Sequence, residues 1–418
     1  MTYTRFIQWL IFINTFVAET MFRQRDIADK SIDLQIIIKL AVWGFTFAFC
    51  AYYYRMWVAQ TRRIDRALEV LLLMIITISC FYAPSPLYSA ASVFSLVAVF
   101  LLMYLSSVTL NNAQILWPFI LGSSLVSFIS IIVYFVNPDF GRMKEWVGGL
   151  HVPGPRLTGI TGTANAIGYI SALSCLAIYY FRQIDHTTKT WMIGALGALN
   201  LTALLMSNSR TALVAMVFAI LAAGLVKFSP ARFAAALFGF SALVLAALLV
   251  DYDALFSMLS RSGDATEIAT GTGRTMIWEG TLDLVAMKPL LGWGYASSVQ
   301  VFPQYIFIES YTPPHAHNAF LQVLFSIGIV GLIVFTLIFA IKLGTALWYR
   351  DKVNLAFVLF LLIDGLAEPI AFSSPVTTTA LAFALILSLN ITPSYRTIAD
   401  RADPAPDRWP QPEHPPTA

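Results

Sequence analysis

Charged residues are scarce in this chain. Asp, Glu, Lys and Arg make up 12% of its 418 residues, while hydrophobic residues make up 58%. Soluble domains carry roughly a quarter charged residues, so this composition excludes an ordinary soluble protein. The net charge of +3 is also small. With no basic stripe interleaved with aromatic residues, nucleic acid is not an expected partner.

Cysteine is equally sparse. The three cysteines, Cys50, Cys80 and Cys175, each lie inside an apolar run. Such positions are typical of small buried residues, not of a disulfide set or a metal cluster.

Apolar runs of membrane-spanning length recur from one end of the chain to the other. They predict an all-α polytopic integral membrane protein embedded in a lipid bilayer. Windows of about twenty residues give twelve predicted spans. These spans are 4–19, 33–53, 67–83, 88–107, 115–136, 163–181, 190–207, 210–227, 232–250, 317–341, 353–368 and 375–391. Between them lie a long loop at 137–162 and a large one at 251–316, and the tail 393–418 is expected to be disordered.

The Lys and Arg residues orient this bundle. Four loops that fall on one side of a twelve-span bundle carry Lys or Arg, whereas the opposite loops 84–87 and 369–374 carry neither. This asymmetry predicts that both termini are cytoplasmic and that 251–316 lies outside. Arg23, Arg25 and Lys30, after the first span, are exceptions to the rule.

Five polar motifs are predicted at the outer face. They are "RLTGITGTANAIG" with Arg156 and Asn165, "MSNSRTAL" with Arg210, "TGTGRTMIWEG" with Arg274 and Trp278, "PPHAHNAF" with His315, His317 and Asn318, and "IDGLAEPIAF" with Asp364 and Glu368. A glycosidase would need two opposed carboxylates, which this set does not offer. Arginine forks hold phosphate bidentately and stay charged, so the set favours a phosphorylated donor held without a metal.

His317 is predicted at the first turn of the tenth span. The partial positive charge of a helix N-terminus disfavours imidazolium, so a neutral imidazole that can accept a proton is expected. Gly328 and Gly331 share a face near mid-membrane and are expected to let another helix or a lipid tail approach closely. Asp364 and Glu368, one turn apart, are expected to share a face of the eleventh span.

Two other interpretations of the histidines remain open. His315 and His317 could bind a metal with a third ligand such as Glu309, although the usual spacings of zinc ligands are absent. A purely structural histidine at a membrane interface is the other alternative.

Together, the motifs between residues 150 and 335 resemble those of the O-antigen ligase and polymerase superfamily of bacterial membrane glycan transferases. The resemblance rests on His317-Asn318 followed by Gly328-x-x-Gly331, and on the three arginine motifs in the same order. Residues 1–392 would form the transmembrane domain of this superfamily. The "TGRTMIWEG" and "GWGYA" stretches, with Glu368 as an acid in the eleventh span, look most like exopolysaccharide polymerases of the succinoglycan type.

The resemblance implies a glycosyltransferase of the bacterial inner membrane that needs no metal, cofactor or ATP and whose site faces the periplasm. The donor would be a glycan on undecaprenyl pyrophosphate, and the acceptor a sugar hydroxyl. His317 would be the general base, and Arg210 and Arg274 would hold the diphosphate. Substrate contacts are expected from Arg156, Asn165, His315, Asn318, Trp278 and Glu368.

The acceptor separates two expected activities. A polymerase would extend a second lipid-linked glycan, beside flippase and export or chain-length partners, and a ligase would use lipid A-core. From other classes, a transporter or flippase of lipid-linked sugars would show internal repeats and mid-membrane charges. A non-catalytic scaffold would not need the converging Arg and His set.

Overall fold

The described chain is almost entirely helical. The structure is a computed structural model that describes residues 2–23, 33–53, 64–147, 150–226, 274–306, 313–370 and 377–390, with the single residues 239 and 372. The helices are α1 Tyr3–Glu19, α2 Leu34–Tyr52, α3 Ile64–Ser79, α4 Pro86–Thr109, α5 Asn112–Val136, α6 Ala164–Ile184, α7 Thr190–Ser207, α8 Arg210–Val226, α9 Arg274–Met287, α10 Ser298–Tyr305, α11 Ala319–Trp348, α12 Lys352–Asp364 and α13 Thr378–Ser388.

Most of the predicted spans coincide with a helix. Within the described ranges, six helices are long and apolar enough to cross a membrane: α2, α4, α5, α6, α7 and α11. The fold is therefore that of an all-α, multi-pass membrane protein. Apart from residue 239, the predicted span 232–250 falls outside the described residues, as does most of the predicted loop 251–316, and so the count of twelve stays a prediction.

A small β-hairpin interrupts the helical pattern. Strands β1 Arg142–Val147 and β2 Leu150–Leu157 pair antiparallel within the loop between α5 and α6. The hydroxyl of Tyr134, near the end of α5, donates to the carbonyl of Pro155 at 2.9 Å and fixes β2 against that helix. The sequence predicted only a loop over this stretch. The hairpin presents Arg156, near the end of β2, to the start of α6.

Helix α11 is broken inside its apolar run. Ile327 (φ −132°, ψ 17°) and Gly328 (φ 65°, ψ −168°) leave helical geometry, so the helix falls into two halves. Residues 289–294 lie in the break: the amides of Trp293 and Gly294 donate to the carbonyls of Phe325 and Ser326, both at 2.8 Å. In return, the amide of Ile329 donates to the carbonyl of Pro289 at 2.9 Å. These bonds satisfy backbone groups that a broken helix leaves open.

The two halves of α11 fold towards each other. The rings of Phe320 and Phe335 lie 5.8 Å apart, whereas in a straight helix their backbones would be about 22 Å apart at 1.5 Å per residue. The first half therefore bends back beside the second. This bend brings the residues before Ala319 down to the end of α12, where the Ala319 amide donates to the Gly365 carbonyl at 2.7 Å.

Gly328 and Gly331 in α11 do not serve a neighbouring helix. A Cβ on Gly328 would overlap the Leu290 backbone, and a Cβ on Gly331 would overlap the Ile327 side chain. The expectation that another helix or a lipid tail approaches Gly328 was therefore wrong. The Leu290 backbone lies against Gly328, and the positive φ of Gly328 permits the turn there.

Gly328→Ala is accordingly expected to lower the free energy of unfolding by about 2 to 4 kcal/mol, because it combines a strained φ with a backbone overlap. Gly344→Ala in the same helix is the matched control, since nothing lies within 4 Å of its Cβ position. Thermal unfolding in detergent should show a lower midpoint for Gly328→Ala than for the native protein, and an unchanged midpoint for Gly344→Ala. Equal midpoints would mean that the break does not depend on Gly328.

Candidate functional site

Three helix N-termini meet at one carboxylate. Asn165 in the first turn of α6 donates from Nδ2 to Oε1 of Glu368 at 2.8 Å, and Arg274, the first residue of α9, donates from Nη2 to the same oxygen at 3.2 Å. Nδ1 of His317, just before α11, lies 3.7 Å from Oε2 of Glu368. Each N-terminus adds partial positive charge, so the surroundings favour anions.

Glu368 lies beyond the helix in which it was predicted. Helix α12 ends at Asp364, and Glu368 sits in the turn that follows. The two acids therefore do not share a helical face as expected: Asp364 is 1% exposed inside the bundle. Burial alone would raise the pKa of Glu368, but the interactions with His317, His315 and Arg274 outweigh it and lower that pKa. Glu368 is thus a carboxylate at neutral pH.

A second arginine reaches Glu368 through Asn165. Arg156 donates from Nη2 to Oδ1 of Asn165 at 3.2 Å and from Nε to the carbonyl of Ser207 at 3.0 Å. Asn165 therefore bridges an arginine and a carboxylate, and both ends of its amide are used. Arg156 is buried, 7% exposed. The chain Arg156–Asn165–Glu368–Arg274 is continuous, and it fixes the carboxylate that faces His317.

The stretch before α11 is held in a tight, non-helical conformation. His317 has φ 48°, in the left-handed region that few residues other than glycine adopt. Nε1 of Trp278 donates to the Ala316 carbonyl at 3.0 Å, and the Ala316 amide donates to Oε1 of Gln322 at 2.8 Å. Asn318 caps α11, its Oδ1 accepting from the amides of Phe320 and Leu321. The strained turn at His317 is thus over-determined by its neighbours.

His315 differs from His317 in its contacts. Its Nδ1 accepts the backbone N–H of His317 at 3.3 Å, and the two rings lie 4.1 Å apart. Burial, and then the charges of His317 and Arg274, lower the pKa of His315 to about 3. His315 is therefore neutral at physiological pH, with its ring proton on Nε2, and it supports the backbone of His317.

The predicted site residues thus fall into three groups. Those brought together around Glu368 are Arg156, Asn165, Arg274, His315 and His317. The polar atoms of Asn318 and Trp278 stabilise the turn before α11. Nδ2 of Asn318 also donates to the Leu366 carbonyl at 3.2 Å. Arg210 is exposed at the first residue of α8; its neighbour Ser209 packs on Gly168 of α6, one turn from Asn165.

Three further polar residues lie among these helices, and only one of them had a usable signal in the sequence. Gln322 looks like an ordinary polar residue in an apolar helix, yet it holds Ala316 and donates to the Phe372 carbonyl at 3.1 Å. The Tyr169 hydroxyl and Oδ2 of Asp364 are buried without a hydrogen-bond partner among the described residues. The Tyr169 ring lies 5.4 Å from that of Phe360, one turn before Asp364. Only the intramembrane acid, Asp364, could be singled out from the sequence.

The histidines and Glu368 also form the one metal-like cluster found among the described residues. One donor atom from each of His315, His317 and Glu368 lies within 4.8 Å of the others. The third ligand considered from the sequence, Glu309, lies outside the described residues. A cation would have to compete with Arg274 and with Asn165 for the carboxylate. The fixed positive charge of Arg274 therefore weighs against a metal and for an anion.

The fold and site define a class: a multi-pass membrane protein with a histidine, a carboxylate and arginines gathered at one end of its helices. Comparison with known families makes this more specific, because residues 195–336 match the family described as O-antigen ligase. The match confirms the resemblance to the O-antigen ligase and polymerase superfamily, and it contains Arg210, Arg274 and His317. Arg156, Asn165 and Glu368 lie outside it. Comparison with curated proteins gave no match.

Proposed function

We propose that this protein is a glycosyltransferase that moves a glycan from undecaprenyl pyrophosphate to a sugar hydroxyl, without a metal. The family match supports glycan transfer of the O-antigen ligase or polymerase type. The observation that carries the proposal is the His317–Glu368 pair, at 3.7 Å, beside Arg274. A base next to fixed cations suits a reaction in which a hydroxyl loses a proton while an anion leaves.

Arg274 and Arg210 hold the diphosphate of the donor. Both are the first residues of helices, α9 and α8, so each guanidinium acts together with the partial positive charge of a helix N-terminus. The exposure of Arg210 and the partial exposure of Arg274 leave both within reach of a ligand. Arg156 is buried and acts through Asn165. Guanidinium forks grip phosphate oxygens bidentately and keep their charge as pyrophosphate leaves.

His317 takes the proton of the acceptor hydroxyl. Oε2 of Glu368 lies 3.7 Å from Nδ1, so the negative charge of the carboxylate favours the ring proton on Nδ1, and Nε2 is the atom that takes the proton of the acceptor. The acceptor oxygen then bonds to the sugar carbon that carries the diphosphate. The bond from that carbon to the diphosphate oxygen breaks, its electron pair stays on the lipid diphosphate, and the arginines stabilise the new charge. The imidazolium is stabilised by Glu368 until it loses its proton to water.

Glu368→Gln is expected to lower kcat by a factor of roughly 10² or more, because the amide can donate to Nδ1 and force the ring proton onto Nε2. Glu368→Asp should recover part of the rate, since it restores the carboxylate. Glu279→Gln, at an exposed position on α9, is the matched control. Glu368 acts through His317, so raising the pH should not rescue the glutamine variant. Unchanged kcat in that variant would remove Glu368 from the mechanism.

The site faces the periplasm in this proposal, with both termini in the cytoplasm of a bacterial inner membrane. The Lys and Arg distribution supports this orientation. Lipid-linked donors and the bilayer are the partners, with flippase and export or chain-length proteins on either side of the reaction. Cysteine labelling at Ala265 with an impermeant maleimide tests it: labelling from the cytoplasmic side alone would contradict both the topology and the site.

Acceptor choice distinguishes polymerase from ligase. We favour extension of a second lipid-linked repeat unit, as in exopolysaccharide or O-antigen polymerisation; transfer to lipid A-core is the alternative. The test is purified protein in proteoliposomes with a fluorescent lipid-diphosphate repeat unit, alone or with lipid A-core. Longer lipid-linked products without lipid A-core support the polymerase, and product only with lipid A-core supports the ligase. Movement of donor between leaflets with no new glycosidic bond would instead indicate a flippase.

A further inference from the structure

Residues 288–293, which lead into the break in α11, have an unusual backbone for a loop. The carbonyls of Lys288, Pro289, Leu290 and Leu291 each accept a hydrogen bond from the protein. The donors are the amides of Gly292, Ile329 and Val330, at 3.1, 2.9 and 3.5 Å, and the Tyr82 hydroxyl at 2.7 Å. A loop in water needs no such partners, because water satisfies its carbonyls. A backbone inside hydrocarbon requires them.

The residues that follow this segment contact the ends of two helices. The Tyr295 amide donates to the Ser79 hydroxyl at the end of α3, and the Ser89 hydroxyl in α4 donates to the Tyr295 carbonyl. A Cβ on Gly294 would meet Ala83, between the same helices. The chain thus enters the bundle beside α3, α4 and α11, although the sequence places it in the predicted outer loop 251–316.

The side chains of Leu290 and Leu291 point away from the protein. Leu290 is 65% exposed and Leu291 is 55% exposed. Leu290 adjoins Ile329 and Val330, which are themselves exposed on α11, and Leu291 adjoins Tyr82. Beside them, the Lys288 ammonium lies 4.0 Å above the Trp293 ring. Lys and Trp side chains are typical of the level where lipid headgroups meet the acyl chains.

We propose that residues 288–293 form a re-entrant segment inserted into the bilayer, with Leu290 and Leu291 among lipid acyl chains and Lys288 and Trp293 at headgroup level. The partner is the lipid of the surrounding membrane. The apolar surface of the segment continues that of Ile329, Val330 and Ile333 on α11, a helix apolar enough to span the membrane. The segment anchors the break in α11 at the membrane boundary, and with it the turn that carries His317.

The test uses nitroxide labels at single cysteines, in a variant lacking Cys50, Cys80 and Cys175, reconstituted into phospholipid nanodiscs. Power saturation compares collision with oxygen, which concentrates in lipid, and with a water-soluble nickel complex. Leu290→Cys should resemble the lipid control Ile333→Cys, 53% exposed on α11, with oxygen dominant. Gln304→Cys, at an exposed position on α10, is the aqueous control. A Leu290 label that matches Gln304 would overturn the proposal.

A second measurement uses chemical labelling in place of the nitroxide. An impermeant maleimide applied to membranes should label Gln304→Cys readily and Leu291→Cys only after detergent is added. Rapid labelling of Leu291→Cys in intact membranes would contradict insertion. Neither position touches the Glu368 cluster, so this outcome is independent of glycan transfer, which is measured on the same preparations.

Discussion

His317→Ala is expected to lower glycan transfer by a factor of roughly 10² to 10⁴, the scale of general-base catalysis. The loss should fall on kcat, because Arg274 and Arg210 remain to bind the donor. Donor binding, measured by displacement of a fluorescent lipid diphosphate, should change little. His186→Ala, in the exposed loop between α6 and α7, is the matched control. Full activity in His317→Ala would show that the histidine only packs.

The pH dependence separates the two histidines. Activity of the native protein should fall at mildly acidic pH, because a general base must be unprotonated to take the proton of the acceptor. His315 does not produce this loss, because burial lowers its pKa to about 3 and it stays neutral at mildly acidic pH. His315→Ala should therefore retain the acidic fall while losing some rate, since the His317 amide loses its acceptor. A profile without the acidic fall in His315→Ala would move the base to His315.

Arg274→Ala is expected to lower transfer by a factor of roughly 10² to 10³, the scale for loss of one charged donor to a developing anion. Arg274 serves two partners, Glu368 at 3.2 Å and the proposed diphosphate. Arg274→Lys should recover little, because a single ammonium cannot reproduce the planar fork. Arg210→Ala should be similarly impaired. Kinetics should be taken at matched protein levels in the membrane.

The control for both arginines is Arg182→Ala. Arg182 lies in the last turn of α6, at the other end of that helix, and donates to the Asp185 carbonyl at 3.4 Å. The Arg182→Ala substitution should leave transfer unchanged. Near-normal product length in Arg274→Ala would exclude this arginine from the mechanism, whereas a fully active Arg274→Lys would show that charge alone is needed.

Local sequence patterns were sufficient for most of the helices. Apolar runs predicted α4, α5 and α6 within a few residues, because membrane length and apolarity are properties of a single segment. The motifs also predicted Arg274 and His317 at one site, and both lie beside Glu368; Arg210, predicted with them, lies outside that cluster. The hairpin at 142–157 was missed because β-pairing within a loop has no comparable periodic signal in this stretch.

Contacts between distant parts of the chain could not be predicted. Glu368 meets Asn165 across 203 residues and Arg274 across 94, and no local pattern encodes such a meeting. Gly328 illustrates the same limit. Its position in an apolar helix indicated a close approach, but its partner is the backbone of Leu290, which belongs to another motif. The glycine predicted a close approach but not which residue makes it.

The most direct test of metal-independent base catalysis by His317 is chain extension with purified protein in nanodiscs, given a lipid-diphosphate repeat unit as the only substrate. The native protein should form equal amounts of product with and without a chelator. His317→Ala should form only background product while it still binds the donor. Loss of product on chelation with recovery on added zinc would contradict it, and would assign His315, His317 and Glu368 to a metal site.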